Sequence, residues 1–450
     1  MSGTNRMRTE PALSRRLARR YCPDENLYEG KSGDANRGGA TLISVLVVCY
    51  AAALNHSNVI FGFNLSASDI FAVSLLVLFV FHSKLWVPRY SILFFAAVSA
   101  VSLLTALFIT SRWLSEPLTA SEIGGDYLKI GASFATFLVG IQVARLGLLR
   151  QAVIAFVVAS AAIGTASFAA RFAPNILPFD VFFYGGFRFR GLMNDPNFYA
   201  VVTLAAVSVV WTMDRLRTRW RLLATVPLAL GIISSASKTG LALSAILIVA
   251  LVLLPRNGVI GRTAALNMFL FRLAVSAFCA FVLLLLASPR IASGLMGILS
   301  QYPATERLSS LILTPETALS AGGSAREDSW RNALDLIGLS PVVGVGSGGY
   351  IPVSREVNGV DILAHNTYLQ IAAEWGIVLA AILFCWIAWG IVASRRNSSR
   401  CIQWELYALP LIVLLLGSLS LSLNYSRLLW FLLGVMVIGG ISGRPERATT

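Results

Sequence analysis

The stretch YSILFFAAVSAVSLLTALFI, residues 90–109, decides the fold of this chain. It contains no charged side chain, and it is as long as the ~20 residues that an α-helix needs to cross a bilayer. Further apolar runs of comparable character occupy residues 41–61, 65–81, 126–143, 151–171, 196–213, 220–233, 239–254, 268–287, 366–393, 404–423 and 427–441. The pattern predicts an all-α polytopic membrane protein with about 12 transmembrane helices.

The composition of the 450 residues agrees with this fold class. Hydrophobic residues make up 56 % of the chain, charged residues make up 13 %, and the mean hydropathy is +0.72. A soluble domain carries about 25 % charged residues. These values exclude a soluble enzyme, a disulfide scaffold and a disordered linker as descriptions of the chain.

The net charge of +14 is explained by membrane topology rather than by nucleic-acid binding. With the N-terminus in the cytoplasm, most of the 36 Lys and Arg residues fall in cytoplasmic segments, as the positive-inside rule requires. We therefore expect both termini to be cytoplasmic. The expected segments are a basic, disordered tail (1–39), helices one to nine (40–287), a periplasmic loop (288–364), helices ten to twelve (365–441) and a short cytoplasmic tail (442–450).

The long loop 288–364 contains a candidate anion site. Ser324 and Glu327 have the spacing of a capping box, which predicts a short amphipathic helix that ends near Gly338. Arg326 would then lie in the first turn, where free backbone N–H groups favour an anion and a guanidinium can bind phosphate in a bidentate manner. A solvated arginine at a helix end is the alternative interpretation.

A second candidate precedes the sixth predicted span, where residues 187–191 read FRFRG and residues 194–197 read NDPN. In an extended segment, Arg188 and Arg190 would point to one side and both phenylalanines to the other. Asp195 before a proline predicts the N-cap of the sixth helix. Both arginines would therefore lie at the outer interface, where ordinary anchoring to lipid phosphate is the alternative interpretation.

A third candidate opens the tenth predicted span, where residues 364–370 read AHNTYLQ. Thr367 and Gln370 have capping-box spacing, which places His365 just before a helix N-terminus. That position disfavours the imidazolium and favours a neutral ring that accepts a proton. A histidine that serves only as a hydrogen-bonding residue is the alternative.

Three further ionisable residues lie within predicted spans. Glu374 is one helical turn beyond Gln370, and a carboxylate in a bilayer needs a partner or a water-filled cavity. We expect it either to pair with a neighbouring helix or to line the site. Asp69 and Lys129 lie near the outer surface, where the simplest expectation is that they snorkel.

Two glycine-containing turns resemble nucleotide-binding loops without fulfilling their requirements. Residues 234–240 read SSASKTG but lack the glycine before Lys238, so we interpret them as a polar outer turn whose lysine reaches an anion. Residues 344–349 read GVGSGG and predict a tight turn against the loop. The histidines, at 56, 82 and 365, fall in separate loops, so the sequence predicts no metal site and no cofactor.

The predicted topology brings these candidates together. Spans six, eight and ten all run inward, so their N-termini lie in one outer plane beside Arg190, Lys238 and His365, below Arg326. Cations, helix N-termini and a neutral base together fit a diphosphate on a lipid carrier, next to a hydroxyl that must lose its proton.

The order of these motifs resembles the O-antigen ligase and O-antigen polymerase (Wzy_C) family. The resemblance rests on FRGxxxDPN (189–197), SxSKTG (235–240), RxxxW (326–330) with Pro341 and GVG (344–346), and HNxYLQxxxExG (365–376). It is strongest over residues 185–393. The first 180 residues match only as hydrophobic spans, and Lys238 stands where the family more often has arginine.

The resemblance implies a GT-C-type glycosyltransferase of the bacterial inner membrane that needs no nucleotide sugar and no metal. It would transfer or polymerise glycan units from undecaprenyl diphosphate at the periplasmic face, in O-antigen, lipopolysaccharide or exopolysaccharide biosynthesis. Its acceptor would be another glycan or the lipid A-core, and we favour a polymerase over a ligase. Other polysaccharide-assembly proteins are further expected partners.

The residue roles that the resemblance implies can be named position by position. Arg190 and Arg326 would hold the diphosphate as leaving group, and His365 would be the general base. The residues expected to contact substrate are Arg188, Lys238, Asn197, Asn366 and Glu374.

The alternative function is a polysaccharide exporter or lipid-linked oligosaccharide flippase, which would need charge near the bilayer midplane and often has internal repeats.

Overall fold

The computed structural model describes residues 34–57, 65–82, 85–172, 179–213, 216–253, 315–396 and 404–441, and these are mostly helical. The helices are α1 (Asp34–Ala53), α2 (Ala67–Phe81), α3 (Arg89–Leu104), α4 (Ala120–Arg145), α5 (Leu149–Phe172), α6 (Phe179–Phe182), α7 (Pro196–Thr212), α8 (Thr218–Ser234), α9 (Lys238–Leu253), α10 (Pro315–Leu339), α11 (Tyr350–Asn358), α12 (Thr367–Trp375), α13 (Ile377–Arg396), α14 (Trp404–Gly417) and α15 (Arg427–Ile441). A π-helical turn (Thr105–Ile109) and a 3₁₀ turn (Thr110–Arg112) extend α3. Strands β1 (Phe183–Tyr184) and β2 (Arg188–Phe189) form an antiparallel hairpin.

Four helical segments are long and apolar enough to cross a membrane, which identifies a membrane protein. They are Arg89–Arg112, Ala120–Arg145, Leu149–Ala170 and Ile377–Arg395. Shorter apolar helices occupy Thr41–Ala53, Ala67–Phe81, Pro196–Thr212, Lys238–Leu251, Trp404–Gly417 and Arg427–Gly439. The fold class is therefore confirmed as mostly helical with candidate membrane spans, whereas the number of twelve spans stays a prediction.

Most predicted spans in the described residues coincide with one helix each, within a few residues. The first helix differs, because it begins at Asp34 inside the predicted basic tail and ends at Ala53. The predicted ninth span, 268–287, lies outside the described residues, as do the rest of the N-terminal tail and the C-terminal tail.

The predicted tenth span, 366–393, is wrong as one helix. It divides at Gly376, whose φ of +82° is a backbone conformation that side-chain-bearing residues rarely adopt. The turn after α10 supplies the hydrogen bonds that the break removes: Val345 N–H donates to Ala373 O over 2.8 Å, and Ile377 N–H donates to Pro341 O over 2.8 Å. Irregular backbone is tolerated in a membrane protein where other protein groups satisfy it in this way.

The predicted start of the loop helix at Ser324 is also wrong. Helix α10 begins at Pro315, where a proline in the first turn costs no hydrogen bond. The Ser324–Glu327 spacing therefore falls inside the helix, and Arg326 lies beyond its first turn. The predicted end is confirmed, because α10 stops at Leu339 before Pro341.

The described part of the long loop packs as a cap on α12. Apolar side chains from α10, α11 and the turn between them form a buried cluster with α12: Ala333, Leu336, Val345, Tyr350, Val353, Ala364 and Ala373. This cluster is separate from the main core of the bundle. The cap thereby fixes α10 and α12 relative to each other.

Helices α4 and α15 form the closest-packed pair of the described bundle. Gly140 faces the backbone of Phe431, and Gly434 faces the backbone of Phe137, so that a Cβ at either glycine would overlap the facing chain. Small residues at such crossings allow membrane helices to approach closely, which maximises van der Waals contact. The pair therefore forms a rigid support below the residues that precede α15.

Candidate active site

A cavity of about 1670 Å³ lies where the helix starts meet the cap. Its wall includes residues from the N-termini of α7, α9 and α12, together with Arg326 of α10. The structure thus brings together three helix N-termini that the sequence predicted to lie in one plane. Each brings the partial positive charge of a helix N-terminus to the cavity.

The N-terminus of α7 is built as the sequence predicted. Asp195 is the N-cap, and its carboxylate accepts hydrogen bonds from Asn197 N and Phe198 N over 2.7 and 3.1 Å. Pro196 occupies the first helical position, where its missing N–H is not needed. Asp195 and Asn197 both line the cavity.

Arg188 links the hairpin to the neighbouring helices around the site. Its Nε donates to Ser235 O over 3.2 Å and its Nη2 donates to Asn197 Oδ1 over 2.9 Å. The side chain is 6 % exposed, and the adjacent Phe189 is completely buried between Phe183 and Tyr199. The hairpin therefore buries Arg188 together with Phe189, although the sequence placed this arginine at the outer interface.

Arg190 lies beside the cavity rather than on its wall. Its backbone N–H donates to Phe182 O over 2.8 Å, and its Nε donates to Val181 O over 3.1 Å. Neither Arg188 nor Arg190 is among the described residues that line the cavity. The predicted contact between Arg190 and diphosphate therefore stays a prediction, whereas Arg326 and His365 meet in one cavity.

The turn before α9 presents Lys238 at a helix start. Ser237 Oγ accepts the Gly240 N–H over 3.0 Å, as an N-cap does, and Lys238 occupies the first helical position on the cavity wall. Ala236 has a φ of +48°, a left-handed conformation that costs an L-residue about 1–2 kcal/mol. Such strain persists where the surrounding structure requires the geometry.

Arg326 reaches the same turn from α10. Its Nη2 lies 3.4 Å from Thr239 Oγ1, and that hydroxyl also accepts from Ser420 Oγ over 3.2 Å. The guanidinium is half-buried on the cavity wall. A planar cation therefore lies next to the N-terminus of α9, and the two fields add at an anion placed between them.

His365 lies on the cavity wall with a φ of +47°. The side chain is exposed to the open cavity, and the protein atoms around it still desolvate the ring, which lowers its pKa. The Asp195 carboxylate opposes the shift and the Arg326 guanidinium reinforces it, so the net direction is a lowered pKa. The ring is therefore neutral near pH 7 and able to accept a proton.

The capping box predicted for α12 is wrong. Asn366 is the N-cap, since its Oδ1 accepts from Tyr368 N and Leu369 N over 3.0 and 3.2 Å. The hydroxyl of Thr367 donates instead to Leu421 O over 2.7 Å, because the chain before α15 packs against it. An asparagine N-cap is as favourable as the predicted threonine, so the helix starts where it was expected.

Glu374 is buried and hydrogen-bonded on the cavity wall. Its Oε1 accepts from Gln370 Nε2 over 2.8 Å, and its Oε2 accepts from Tyr425 OH over 3.0 Å and from Asn424 Nδ2 over 3.4 Å. Only 3 % of the residue is exposed. Glu374 therefore pairs with a neighbouring segment and also lines the cavity, whereas its contact with substrate stays a prediction.

Asp126, Lys129 and Tyr425 were not predicted as site residues, yet all three line the cavity. Lys129 Nζ lies 2.6 Å from Asp126 Oδ1 and 5.5 Å from the centre of the Tyr425 ring. The simple snorkelling expected of Lys129 is therefore wrong. The sequence signal was an Asp and a Lys three positions apart in an apolar span, where pairing reduces the cost of burial.

The snorkelling expected of Asp69 is wrong as well. Arg427 donates from Nε and Nη2 to the two carboxylate oxygens over 2.9 and 2.7 Å, and the two side chains are 12 % and 8 % exposed. Because the partners are 358 positions apart, no local pattern could reveal the pair. The bridge holds α2 against the start of α15 at the edge of the cavity.

Comparison with known families agrees with the motif resemblance. Residues 223–384 match the family model described as O-antigen ligase. The matched region carries Lys238, Arg326, His365 and Glu374, whereas Arg190 precedes it. No curated protein matches the chain. Residues 223–384 are thus similar to the O-antigen ligase family, and they belong to a chain whose apolar helices are those of a membrane protein.

Proposed function

We propose that this protein is a membrane glycosyltransferase that transfers or polymerises glycan units from undecaprenyl diphosphate at the periplasmic face of the bacterial inner membrane. The observation that carries the proposal is the shared cavity, in which Arg326, Lys238 and His365 meet beside helix N-termini; all three residues lie in the region that matches the O-antigen ligase family model. Both termini would be cytoplasmic, the fold would be of the GT-C type, and the product would serve O-antigen or exopolysaccharide synthesis.

The donor diphosphate would bind between the guanidinium of Arg326 and the N-terminus of α9 at Lys238. Two cationic groups and the oriented N–H groups of a helix start stabilise a charge that grows as the glycosidic bond breaks. Arg190 would reach the same diphosphate from the adjacent hairpin. Asn197 and Asn366, which begin α7 and α12, would orient the sugar next to it.

His365 would act as the general base. The acceptor hydroxyl gives its proton to the neutral imidazole, and its oxygen forms a bond to the anomeric carbon of the donor sugar. The bond from that carbon to the phosphate oxygen breaks, and its electron pair leaves with undecaprenyl diphosphate. The configuration at the anomeric carbon inverts, and the proton passes from His365 to water.

The proposal is tested by incubating purified protein in detergent with undecaprenyl-diphosphate-linked oligosaccharide, with and without a lipid A-core acceptor. A ladder of longer lipid-linked glycans identifies a polymerase, which we favour, and a single shifted acceptor band identifies a ligase. Undecaprenyl diphosphate released with no new glycosidic bond, or no consumption of the donor, contradicts the proposal. If the donor is not consumed, movement of the intact donor across a vesicle membrane would support the transport alternative.

The role of Arg326 is tested by Arg326→Lys, with Arg331→Lys as its control on the same helix. Arg331 bonds to Glu327 on the exposed side of α10 and does not line the cavity. Lysine keeps the charge but loses the planar fork, so Arg326→Lys should lose most of the transfer rate. Arg331→Lys should retain it, and equal rates in the two variants would remove the bidentate role.

The role of His365 is tested by His365→Asn. Asparagine tolerates the left-handed backbone of this position and has no basic ring nitrogen. We expect the variant to remain folded and to lose transfer at every pH. If it transfers glycan at the wild-type rate, His365 is not the base.

A further inference from the structure

A second group of cavity residues takes no part in the mechanism above. Asp126, Lys129, Gln370, Glu374 and Tyr425 come from α4, α12 and the segment before α15, and all line the cavity. We name these residues the carboxylate cluster. Two carboxylates and one lysine disfavour a second diphosphate, so a ligand bound at this part of the wall would have different chemistry.

The carboxylate cluster contains a hydrogen-bond acceptor that is left unused. Gln370 is 3 % exposed, and its Oε1 has no hydrogen-bond partner among the described residues. Its Nε2 donates to Glu374 Oε1, which fixes the orientation of the amide and leaves Oε1 as the remaining polar atom. Oε1 is almost fully covered by protein. An unsatisfied buried acceptor costs about 1–3 kcal/mol, and a ligand O–H that it reaches by a small movement of the amide would recover that energy.

The remaining side chains of the carboxylate cluster are held in place before a ligand arrives. Asp126 accepts from Lys129 Nζ over 2.6 Å and from the backbone of Gly348 over 2.9 Å, and Glu374 accepts from Tyr425. Carboxylate and amide oxygens outnumber the donors, which suits a ligand rich in hydroxyl groups. A few fixed polar groups of this kind are what orient a small molecule in a pocket.

The position of the carboxylate cluster along α12 identifies which substrate it faces. Gln370 and Glu374 lie three and seven positions after Thr367, the first residue of α12, which is an axial rise of roughly 4.5 and 10.5 Å away from the His365 end of the helix at 1.5 Å per residue. A sugar ring whose attacking hydroxyl contacts His365 would therefore extend its other hydroxyls towards Gln370 and Glu374. The cavity, at about 1670 Å³, exceeds the ~1000 Å³ upper range of single-ligand pockets and has room for two substrates.

From these observations we propose that the carboxylate cluster is the acceptor subsite, and that it binds an uncharged sugar residue through its hydroxyl groups. The proposal rests on the proposed function and adds the chemical class of the acceptor. Gln370 Oε1 and the carboxylates of Glu374 and Asp126 accept hydrogen bonds from the sugar hydroxyls. The donor diphosphate binds at a different part of the cavity wall, next to Arg326 and Lys238.

The test compares two probes on full-length protein in detergent. The first is the oligosaccharide repeat unit freed from its lipid by mild acid, and the second is undecaprenyl diphosphate without sugar. Gln370→Met removes the amide at nearly constant volume and should weaken oligosaccharide binding about tenfold, the equivalent of one lost hydrogen bond. It should leave the Kd of undecaprenyl diphosphate unchanged, whereas Arg326→Gln should show the reverse pattern.

The control variant is Gln142→Met in α4. Gln142 is also buried, but its amide bonds to the backbone of Trp86 and does not line the cavity. The Gln142→Met variant should bind both probes with wild-type affinity when equal amounts of folded protein are compared. Added salt should weaken binding of undecaprenyl diphosphate and leave oligosaccharide binding unchanged, because contacts to hydroxyl groups are not screened.

Oligosaccharide binding that Gln370→Met leaves intact, or that Gln142→Met reduces equally, overturns the acceptor subsite. That result leaves the proposed function standing if the wild-type protein still forms glycosidic bonds. Failure of the wild-type protein to bind undecaprenyl diphosphate overturns the proposed function instead, and it does so independently of the oligosaccharide result.

Discussion

Replacing Gly346 by alanine should destabilise this protein more than replacing Gly359 by alanine, although both glycines have a left-handed backbone. Their φ angles are +72° and +66°, so each substitution carries a conformational penalty of about 1–2 kcal/mol. A Cβ at Gly346 would lie 2.6 Å from Ala106 N and Ser102 O, whereas a Cβ at Gly359 meets nothing within 4 Å. Overpacking of this kind adds about 1–3 kcal/mol at Gly346 alone.

The larger effect should also reach the active site. Gly346 N–H donates to Glu374 O over 3.0 Å, and the next residues of the same turn carry the Gly348 N–H that binds Asp126. Displacing the turn would therefore move α12 and the carboxylate cluster together.

The assay is thermal unfolding of the full-length protein in detergent, followed by tryptophan fluorescence, together with the glycan-transfer rate. We expect Gly346→Ala to lose about 2–5 kcal/mol in total and most of its activity, against about 1–2 kcal/mol and retained activity for Gly359→Ala. Equal decreases in Tm for the two variants would refute the reasoning, because the backbone penalty alone would then account for both.

Three further predictions concern single contacts. Arg427→Met should cost about 3–5 kcal/mol, since it leaves the buried Asp69 carboxylate without its partner, and Asp69→Asn in the same chain should restore part of the lost Tm. Asp195→Asn keeps an N-cap of equal quality but removes a charge that raises the pKa of His365, so the acid limb of the transfer rate should move to lower pH. Arg188→Met should lower the free energy of unfolding by about 1.5–3 kcal/mol, measured in denaturant, because a buried charged donor is lost.

Each of these has an outcome that contradicts it. A double variant no more stable than Arg427→Met would mean that the Asp69 charge is not destabilising on its own. An acid limb that stays in place or moves to higher pH would remove Asp195 as an influence on His365. Unchanged unfolding of Arg188→Met would mean that the guanidinium does not stabilise the hairpin.

The local features of the site were predictable because each depends on residues close together in the chain. The N-cap at Asp195, the start of α9 at Lys238 and the position of His365 before α12 follow from capping preferences and apolar periodicity. The capping boxes predicted at Ser324 and Thr367 were wrong because contacts outside the local segment decided them. Ser324 lies inside a helix that begins at Pro315, and the Thr367 hydroxyl bonds to Leu421, which is far away in the chain.

The sequence by itself determined a helical membrane protein, the order of its motifs and the three helix starts that surround the cavity, because apolar length, charge distribution and capping are local properties. Only the tertiary structure decided the division at Gly376, the burial of Arg188, the Asp69–Arg427 pair and the carboxylate cluster around Glu374. Those features depend on contacts between segments far apart in the chain, and their free energy comes from mutual desolvation and packing, which no single segment contains.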